Sequence, residues 1–438
     1  CLKGRLMKTK ILLSALLASN FAFAQSVSLS EAYEMALENN NEVKMNMYNN
    51  IASQERLSQA TAMFLPTINA EASYIGEKYD RMDRRRVSKI NESYKKVGVS
   101  LSQSVFRPAI WYQRNQEEIR VRGNELVYEN AKQELAKKVV EAYFNYTFAS
   151  ETLALAQSYE EANRAKFNQM QKSLEFGLVN KMDMLESKVR LDEAMLGVNK
   201  AKLNIEVAKL ELTKLVGQEV EVKDSFKNID TEFFKSINLA QFGDVARNFK
   251  YKDSVLAVEI SEQEYKKRKS EHLPTLDFSI SYSNLYYDDN DYSGDRRRKL
   301  DTMLRFTLPL YTGGSTSSRV EEGKLLNLAS IEQQKDIKKE IEISQKKAIN
   351  NYLNYIDECE LMHRSLQNAE LYEKSIERGY EEGLKDAVNL FDARARVFKT
   401  RNEALTAAYN LVLSYLEIQW LNSNISVEMM RDLQRAFK

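Results

Sequence analysis

Phe64-Leu65-Pro66-Thr67-Ile68 and His272-Leu273-Pro274-Thr275-Leu276 are one motif written twice, at an offset of 208. Ala142-Tyr143-Phe144-Asn145-Tyr146 resembles Asn351-Tyr352-Leu353-Asn354-Tyr355 at an offset of 209, and Phe176-Gly177-Leu178 resembles Glu382-Gly383-Leu384 at 206. Three matches in the same order at nearly constant offset read as an internal duplication. Each repeat holds two of the four prolines, Pro66 and Pro108 in the first, Pro274 and Pro309 in the second. Such scarcity permits very long helices, because proline removes an amide donor and clashes with the preceding turn.

Between the prolines of each pair the apolar period changes from helical to alternating. In 275–283 Leu276, Phe278, Ile280 and Tyr282 alternate with polar residues, and in 300–310 Leu300, Leu304, Phe306, Leu308 and Leu310 share a face. The first repeat has Ile68, Ala70, Ala72 and Tyr74, then Val97, Val99, Leu101 and Val105. The pattern predicts one two-stranded hairpin per repeat, with one apolar face. Strands of about ten residues are long enough to cross a bilayer when tilted. Four strands cannot close a barrel and open edges are not tolerated in lipid, so spanning strands must be shared between subunits; three copies give twelve. The alternative is a soluble four-stranded sheet buried on one face. The hairpin connections carry Arg84-Arg85-Arg86 and Arg296-Arg297-Arg298, expected in water as solvated loops or against anionic lipid headgroups.

The rest of each repeat reads as helix. Residues 110–174 contain no proline and only Gly123, and 317–376 again only Gly323; at about 1.5 Å per residue each run reaches roughly 90–100 Å. The stripe Ala348, Tyr352, Tyr355, Cys359, Met362, Leu366, Ala369 alternates spacings of four and three, a coiled-coil seam, in which Cys359 and the adjacent His363 are packing residues. Residues 404–427 carry one charge, Glu417, which raises a transmembrane helix. Thr406, Asn410 and Ser414 recur every four residues, however, and predict an amphipathic packed helix. The long helices end at Gly177-Leu178 and Gly383-Leu384, glycine being the usual residue past a helix end. Asn180 with Asp183, and Asp386 with Asn389, have the spacing of an N-cap and its partner three residues on. The polar, irregular stretch 218–243, with Phe233-Phe234, predicts a lateral segment around the middle of the rod.

Lys+Arg number 64 against Asp+Glu 63 in 438 residues, a balance that offers nothing to nucleic acid. With 43% hydrophobic residues and a mean hydropathy of −0.52 the chain is not a polytopic helical membrane protein. Residues 7–24, with Lys8 and Lys10 ahead of the apolar run Ile11–Ala24 and Ala22-Phe23-Ala24 at its end, predict a secretory signal peptide cut after Ala24, residues 1–6 preceding the start at Met7. Cleavage would leave 60 basic against 63 acidic residues and Cys359 without a disulfide partner. No nucleophile elbow, phosphate-binding glycine loop, paired histidines or zinc-type cysteine set occurs, so neither enzyme chemistry nor a cofactor is expected.

Secretion signal, doubled helix–hairpin–helix units, prolines at the strand ends and Gly-Leu helical turns together resemble the TolC family of outer-membrane efflux channels, over essentially the whole mature chain. The residues that carry it are Phe64-Leu65-Pro66-Thr67 with His272-Leu273-Pro274-Thr275, Leu308-Pro309-Leu310-Tyr311 with Gly313-Gly314, and the two Gly-Leu turns. The resemblance implies a mainly α fold with a small β part: a homotrimer whose twelve strands form one outer-membrane β-barrel, continued by a long periplasmic α-helical barrel. It divides the chain into a first repeat, 25–217, a lateral segment, 218–243, a second repeat, 244–424, and a tail, 425–438. It implies a passive exit duct working with a periplasmic adaptor and an inner-membrane pump of RND or ABC type; the rival is a secreted periplasmic coiled-coil scaffold that conducts nothing. Gly177, Leu178, Gly383 and Leu384 match the periplasmic tips that engage the adaptor. Asn389 and Asp392 align with two acidic residues that ring the closed aperture; the first is an amide here, leaving three carboxylates around the threefold axis instead of six. Lys385 aligns with a basic residue that holds the tip closed, and Asp183 and Glu186 occupy the equivalent places of the first repeat. Closure is thus expected from polar contacts among Lys385, Asp392 and neighbouring helices, although carboxylates near helix N-termini are also favoured by the helix dipole alone.

Overall fold

A computed structural model describes residues 25–83, 86–226, 229–287 and 296–437. The expected signal peptide, 1–24, and Arg84 and Arg85 lie outside the described residues. In chain order the elements are β1 (Gln25–Val27), α1 (Leu29–Asn39), α2 (Asn41–Ala62), β2 (Thr67–Asp83), β3 (Arg86–Phe106), α3 (Pro108–Glu175), α4 (Lys181–Val216) and β4 (Val220–Val222). Then follow α5 (Thr231–Lys235), α6 (Phe249–Lys269), β5 (Thr275–Tyr287), β6 (Arg296–Thr307), α7 (Ser315–Glu381), α8 (Ala387–Leu421) and α9 (Val427–Gln434).

Every proline stands at a border between helix and strand. Pro66 and Pro274 immediately precede β2 and β5, Pro108 is the first residue of α3, where its missing N–H costs nothing, and Pro309 follows β6. Gly313 and Gly314, both at positive φ (66° and 84°), then turn the chain into α7. With no proline inside them, α3 and α7 run for 68 and 67 residues, about 100 Å each.

The four long strands form one antiparallel sheet in the order β2-β3-β5-β6. Opposed residues share a face: Ile68 and Leu101 line up with Ile280 and Thr302, and the next row is Thr67, Ser102, Ser279 and Met303. One face is therefore apolar and the other polar, as alternation predicts. The strands are longer than the expected ten or so residues, at 17, 21, 13 and 12. The excess lies largely in the first hairpin, which continues beyond Tyr94↔Tyr287, where β3 leaves β5. Arg296–Arg298, expected in a connection, instead open β6, pairing with Tyr286, Leu285 and Asn284; the backbone ladder is indifferent to side-chain charge, and Arg86 likewise opens β3. β2 and β6 are the outer strands, each with one edge open in the single chain.

On the sheet side α2, α3, α6 and α7 lie abreast; on the far side the order is α4, α3, α8 and α7. α3 and α7 thus pass through both halves, and the shorter helices meet end to end beside them. The two joints use one device. Asn39 at the end of α1 donates to the Val216 carbonyl (2.8 Å) where α4 ends, and Asn248, the N-cap of α6, donates to the Leu421 carbonyl (2.8 Å) where α8 ends. Gly217, at φ 90°, belongs to the first joint, and a Cβ there would meet the Asn39 amide at 2.8 Å.

Around the middle a belt packs onto the rod: β1 pairs with β4 in parallel, α1 lies on α3 and α4, and α9 lies on α1. Tyr143 and Tyr352, its equivalent, are both fully buried, and each donates its hydroxyl to a belt carbonyl, Val27 (3.1 Å) and Phe234 (2.8 Å). A buried aromatic with a satisfied hydroxyl fixes the belt at one height on each long helix. The tail closes it, with Phe437 stacked on Phe144 (4.9 Å) and the Asp230 amide bonded to the Ala436 carbonyl (2.8 Å).

No helix among the described residues is long and apolar enough to cross a membrane. α8, where 404–427 raised that possibility, packs into the central core through Leu411, Val412 and Leu416, and Glu417 pairs with Lys137 (2.6 Å). Along the coiled-coil seam Ala348, Tyr352, Cys359 and Ala369 are buried, whereas His363 is exposed and bonds Gln367 (3.2 Å). Burial pushes the Cys359 thiol up to about 11, so at pH 8 about one thiol in a thousand is ionised. Maleimide labelling of the native protein is accordingly expected to run about a hundredfold slower than in denaturant; equal rates would place Cys359 outside the seam.

Candidate functional site

At the end of the rod farthest from the sheet, α3 turns into α4 and α7 into α8. Gly177 and Gly383 share a φ of 70°, the left-handed conformation that reverses the chain at low cost only for glycine. The Leu178 amide reaches back to the Ser173 carbonyl (2.9 Å) and the Leu384 amide to that of Gly379 (2.7 Å). The next helices start on the expected caps: Asn180 accepts from the Asp183 amide and Asp386 from the Asn389 amide, each at 2.8 Å. The Asn389 side-chain amide also donates to Asp386. These bonds, with the nearby Lys385 charge, hold the Asp386 carboxyl below its ordinary range. Phe176, Leu178, Met182 and Leu384 stand about three-quarters exposed on the two turns, an apolar rim on an otherwise polar end.

Roughly two to three turns into α4, Arg190 bonds Glu186 (2.9 Å) and reaches across to Asp392 on α8 (3.3 Å), with Glu193 at 3.7 Å. Two of the expected residues, Glu186 and Asp392, are thereby brought together by a cation that their own spacing did not suggest. Arg394 makes the parallel tie between α8 and α7, to Glu377 (2.7 Å) and Glu373 (3.5 Å). Beneath it the buried Lys166 of α3 holds its ammonium 4.3 Å from the centre of the Tyr380 ring and donates to Gln169 (3.1 Å). Burial, and then the nearby Arg394, pull that ammonium below its ordinary pKa.

Lys385 does not join this set. Asp392 pairs with Arg190, and among the described residues Lys385 forms no ion pair: its side chain lies along Gly379 and its charge faces Asp386. Within the chain the polar contact of Asp392 is with Arg190 of the neighbouring helix α4. Asn389 is occupied with its cap and Asp183 lends its amide to Asn180, its charge reaching Tyr380. The signal that could have found Arg190 is its place four residues after Glu186 and three before Glu193 on one helix. No group of residues able to hold a metal occurs among those described. What the arrangement provides is a set of charged ties between helix pairs at this end of the rod.

The chain matches the model of the outer membrane efflux protein family over residues 32–218 and 245–421, the two repeats without the segment between them. It is 22% identical to outer membrane protein TolC of Escherichia coli K12 over 424 residues, 93% of this chain and 85% of that one. It is 19% identical to the proteases secretion protein PrtF of Dickeya chrysanthemi, covering 98% and 95% of the two chains. The fold is that of the CmeC outer membrane channel of Campylobacter jejuni, with a TM-score of 0.78, 16% identity and 94% and 90% coverage. Sheet, paired helical repeats and glycine turns therefore have one explanation: the chain is a member of the outer membrane efflux protein family.

Proposed function

We propose that three copies of this chain assemble into an exit duct of the outer membrane, which receives cargo from a periplasmic adaptor and an inner-membrane pump and passes it outward without a reaction of its own. The observation that carries this reading is the four-stranded sheet with one apolar face and two open edges, continuous with four helices abreast. Open edges in lipid leave backbone groups unpaired at several kcal/mol each, roughly, so they demand partners, and twelve strands close a barrel that four cannot. The repeats, 25–217 and 244–424, form the wall, while 218–243 and 425–438 join the N-terminal segment as a belt around it. The exposed apolar residues of the glycine turns, with Gly177, Leu178, Gly383 and Leu384 at their apex, meet the adaptor. Opening the tip swings α7 and α8 away from α3 and α4, and Arg190–Asp392 is the bond that resists it; Asp183, Glu186, Lys385 and Asn389 set the charge and caps of the same aperture. The family's description speaks of efflux and one relative's name of protease secretion, and the cargo follows from the pump.

Edge pairing is tested by crosslinking. With Cys359→Ser as background, Ala70→Cys in β2 is combined in turn with Thr302→Cys, Met303→Cys or Leu304→Cys in β6. Within one chain these strands are separated by β3 and β5, so bonds can form only between copies. The proposal expects a ladder of covalent dimers and trimers for the pair in register; monomers throughout would contradict it.

A further inference from the structure

Alternation splits the basic stretch that opens β6. Arg296 and Arg298 fall on the apolar face of the sheet, opposite Tyr286 and Asn284, whereas Arg297 and Lys299 fall on the polar face. Lys95 of β3 stands opposite Tyr286 as well, on the same face as Arg296. On the polar face Lys96 pairs with Glu71 (2.6 Å) and Lys299 with Asp301 (3.0 Å), whereas Arg297 has no carboxylate partner among the described residues and stands 5.8 Å from the centre of the Tyr287 ring. On the apolar face Arg296 stands over the Tyr286 ring, 4.9 Å from its centre, and neither it nor Arg298 has a carboxylate partner among the described residues. Both are exposed.

Height decides what they meet. The apolar positions of the last strand run from Leu300 to Leu308, just past its end; at about 3.3 Å per residue and a tilt of about 40° this is about 20 Å along the membrane normal. Arg298 and Arg296 follow directly at the end away from the helices. They therefore sit where hydrocarbon gives way to headgroups, beside a tyrosine of the kind that lines that boundary. A cation fixed there is costly unless an anion joins it, and the guanidinium fork matches a phosphate in two parallel bonds.

We infer that Arg296 and Arg298 form a binding site for the phosphate of an outer-leaflet glycolipid headgroup, one site on each copy's sheet. The inference rests on the reading of the sheet as membrane-spanning. It assigns Arg297 the opposite role, facing the lumen and touching no lipid.

The test uses the detergent-extracted full-length protein and native mass spectrometry after incubation with bisphosphorylated lipid A, its monophosphoryl form, or a phosphate-free glycolipid. The wild type is expected to retain the bisphosphorylated lipid at up to three per trimer, with retention falling as phosphates are removed. Arg296→Gln/Arg298→Gln should lower retention at least fivefold. Arg297→Gln should leave it unchanged, and Arg296→Lys/Arg298→Lys, which keeps the charge without the fork, should fall between and show that the strand still forms. Retention independent of phosphate count, equal loss with Arg297→Gln, or displacement of the lipid by millimolar inorganic phosphate alone would each overturn the site. A protein that needs no detergent would instead contradict the duct, a different and separately visible failure.

Discussion

Alanine at Arg190 is expected to raise the open probability of the assembled duct about tenfold in planar-bilayer recordings. Arg190 joins two carboxylates of its own helix to Asp392 on α8, so its loss leaves α4 and α8 without their charged tie. The pair is partly exposed, with side-chain accessibilities of 28% and 64%, and ties of this kind contribute only about 0.5 kcal/mol each. Threefold repetition makes the sum about 1.5 kcal/mol, which would shift a tip open about 1% of the time to roughly 10%. Asp392→Ala should do nearly as much, and the double variant little more than either, since both remove one bond. Lys385→Ala should change gating little, because its charge faces Asp386 rather than Asp392. Unaltered opening in both Arg190→Ala and Asp392→Ala would show that the tie does not resist opening.

Ile280→Arg should abolish assembly in the outer membrane, whereas Ser281→Arg should not. The two residues are neighbours on β5 but face opposite sides of the sheet, Ile280 in line with Leu101 and Ser281 in line with Ser100. An arginine directed into the hydrocarbon costs about 2–4 kcal/mol near the bilayer midplane, and a trimer would bear it three times. The variant is expected to lose at least nine-tenths of the heat-resistant trimer in the membrane fraction. Ser281→Arg would place three cations in the lumen, preserving the trimer while altering conductance and ion preference. Equal tolerance of both changes would mean that the apolar face does not meet lipid.

The features legible in the sequence were those that act through local geometry. Prolines mark the borders of the elements because they cannot continue a ladder or a helix, Gly177 and Gly383 because the turn needs a positive φ, and Asn180 and Asp386 because a cap has a fixed spacing. The doubled Tyr motif was visible as a repeat, but not its purpose, since Tyr143 and Tyr352 find Val27 and Phe234 more than a hundred residues away. Alternation found the lipid-facing parts of the strands and missed the rest. In the outer half of the first hairpin each face mixes polar and apolar pairs, Glu77 opposite Glu92 beside Tyr79 opposite Ile90 on one and Lys78 opposite Asn91 beside Met82 opposite Val87 on the other, and no period betrays a strand. Among the tip residues the acids match a family pattern, whereas the tie that joins them depends on which turn of α4 packs against α8. That register is a tertiary fact, and it sets Arg190 beside Asp392.

The duct depends on these sheets closing into one pore. Native mass spectrometry of the detergent-extracted protein, followed by recording of the same sample in a planar bilayer, tests it most directly. A trimer with a gated conductance is expected; a monomer or dimer that leaves the bilayer silent would show that no such pore forms.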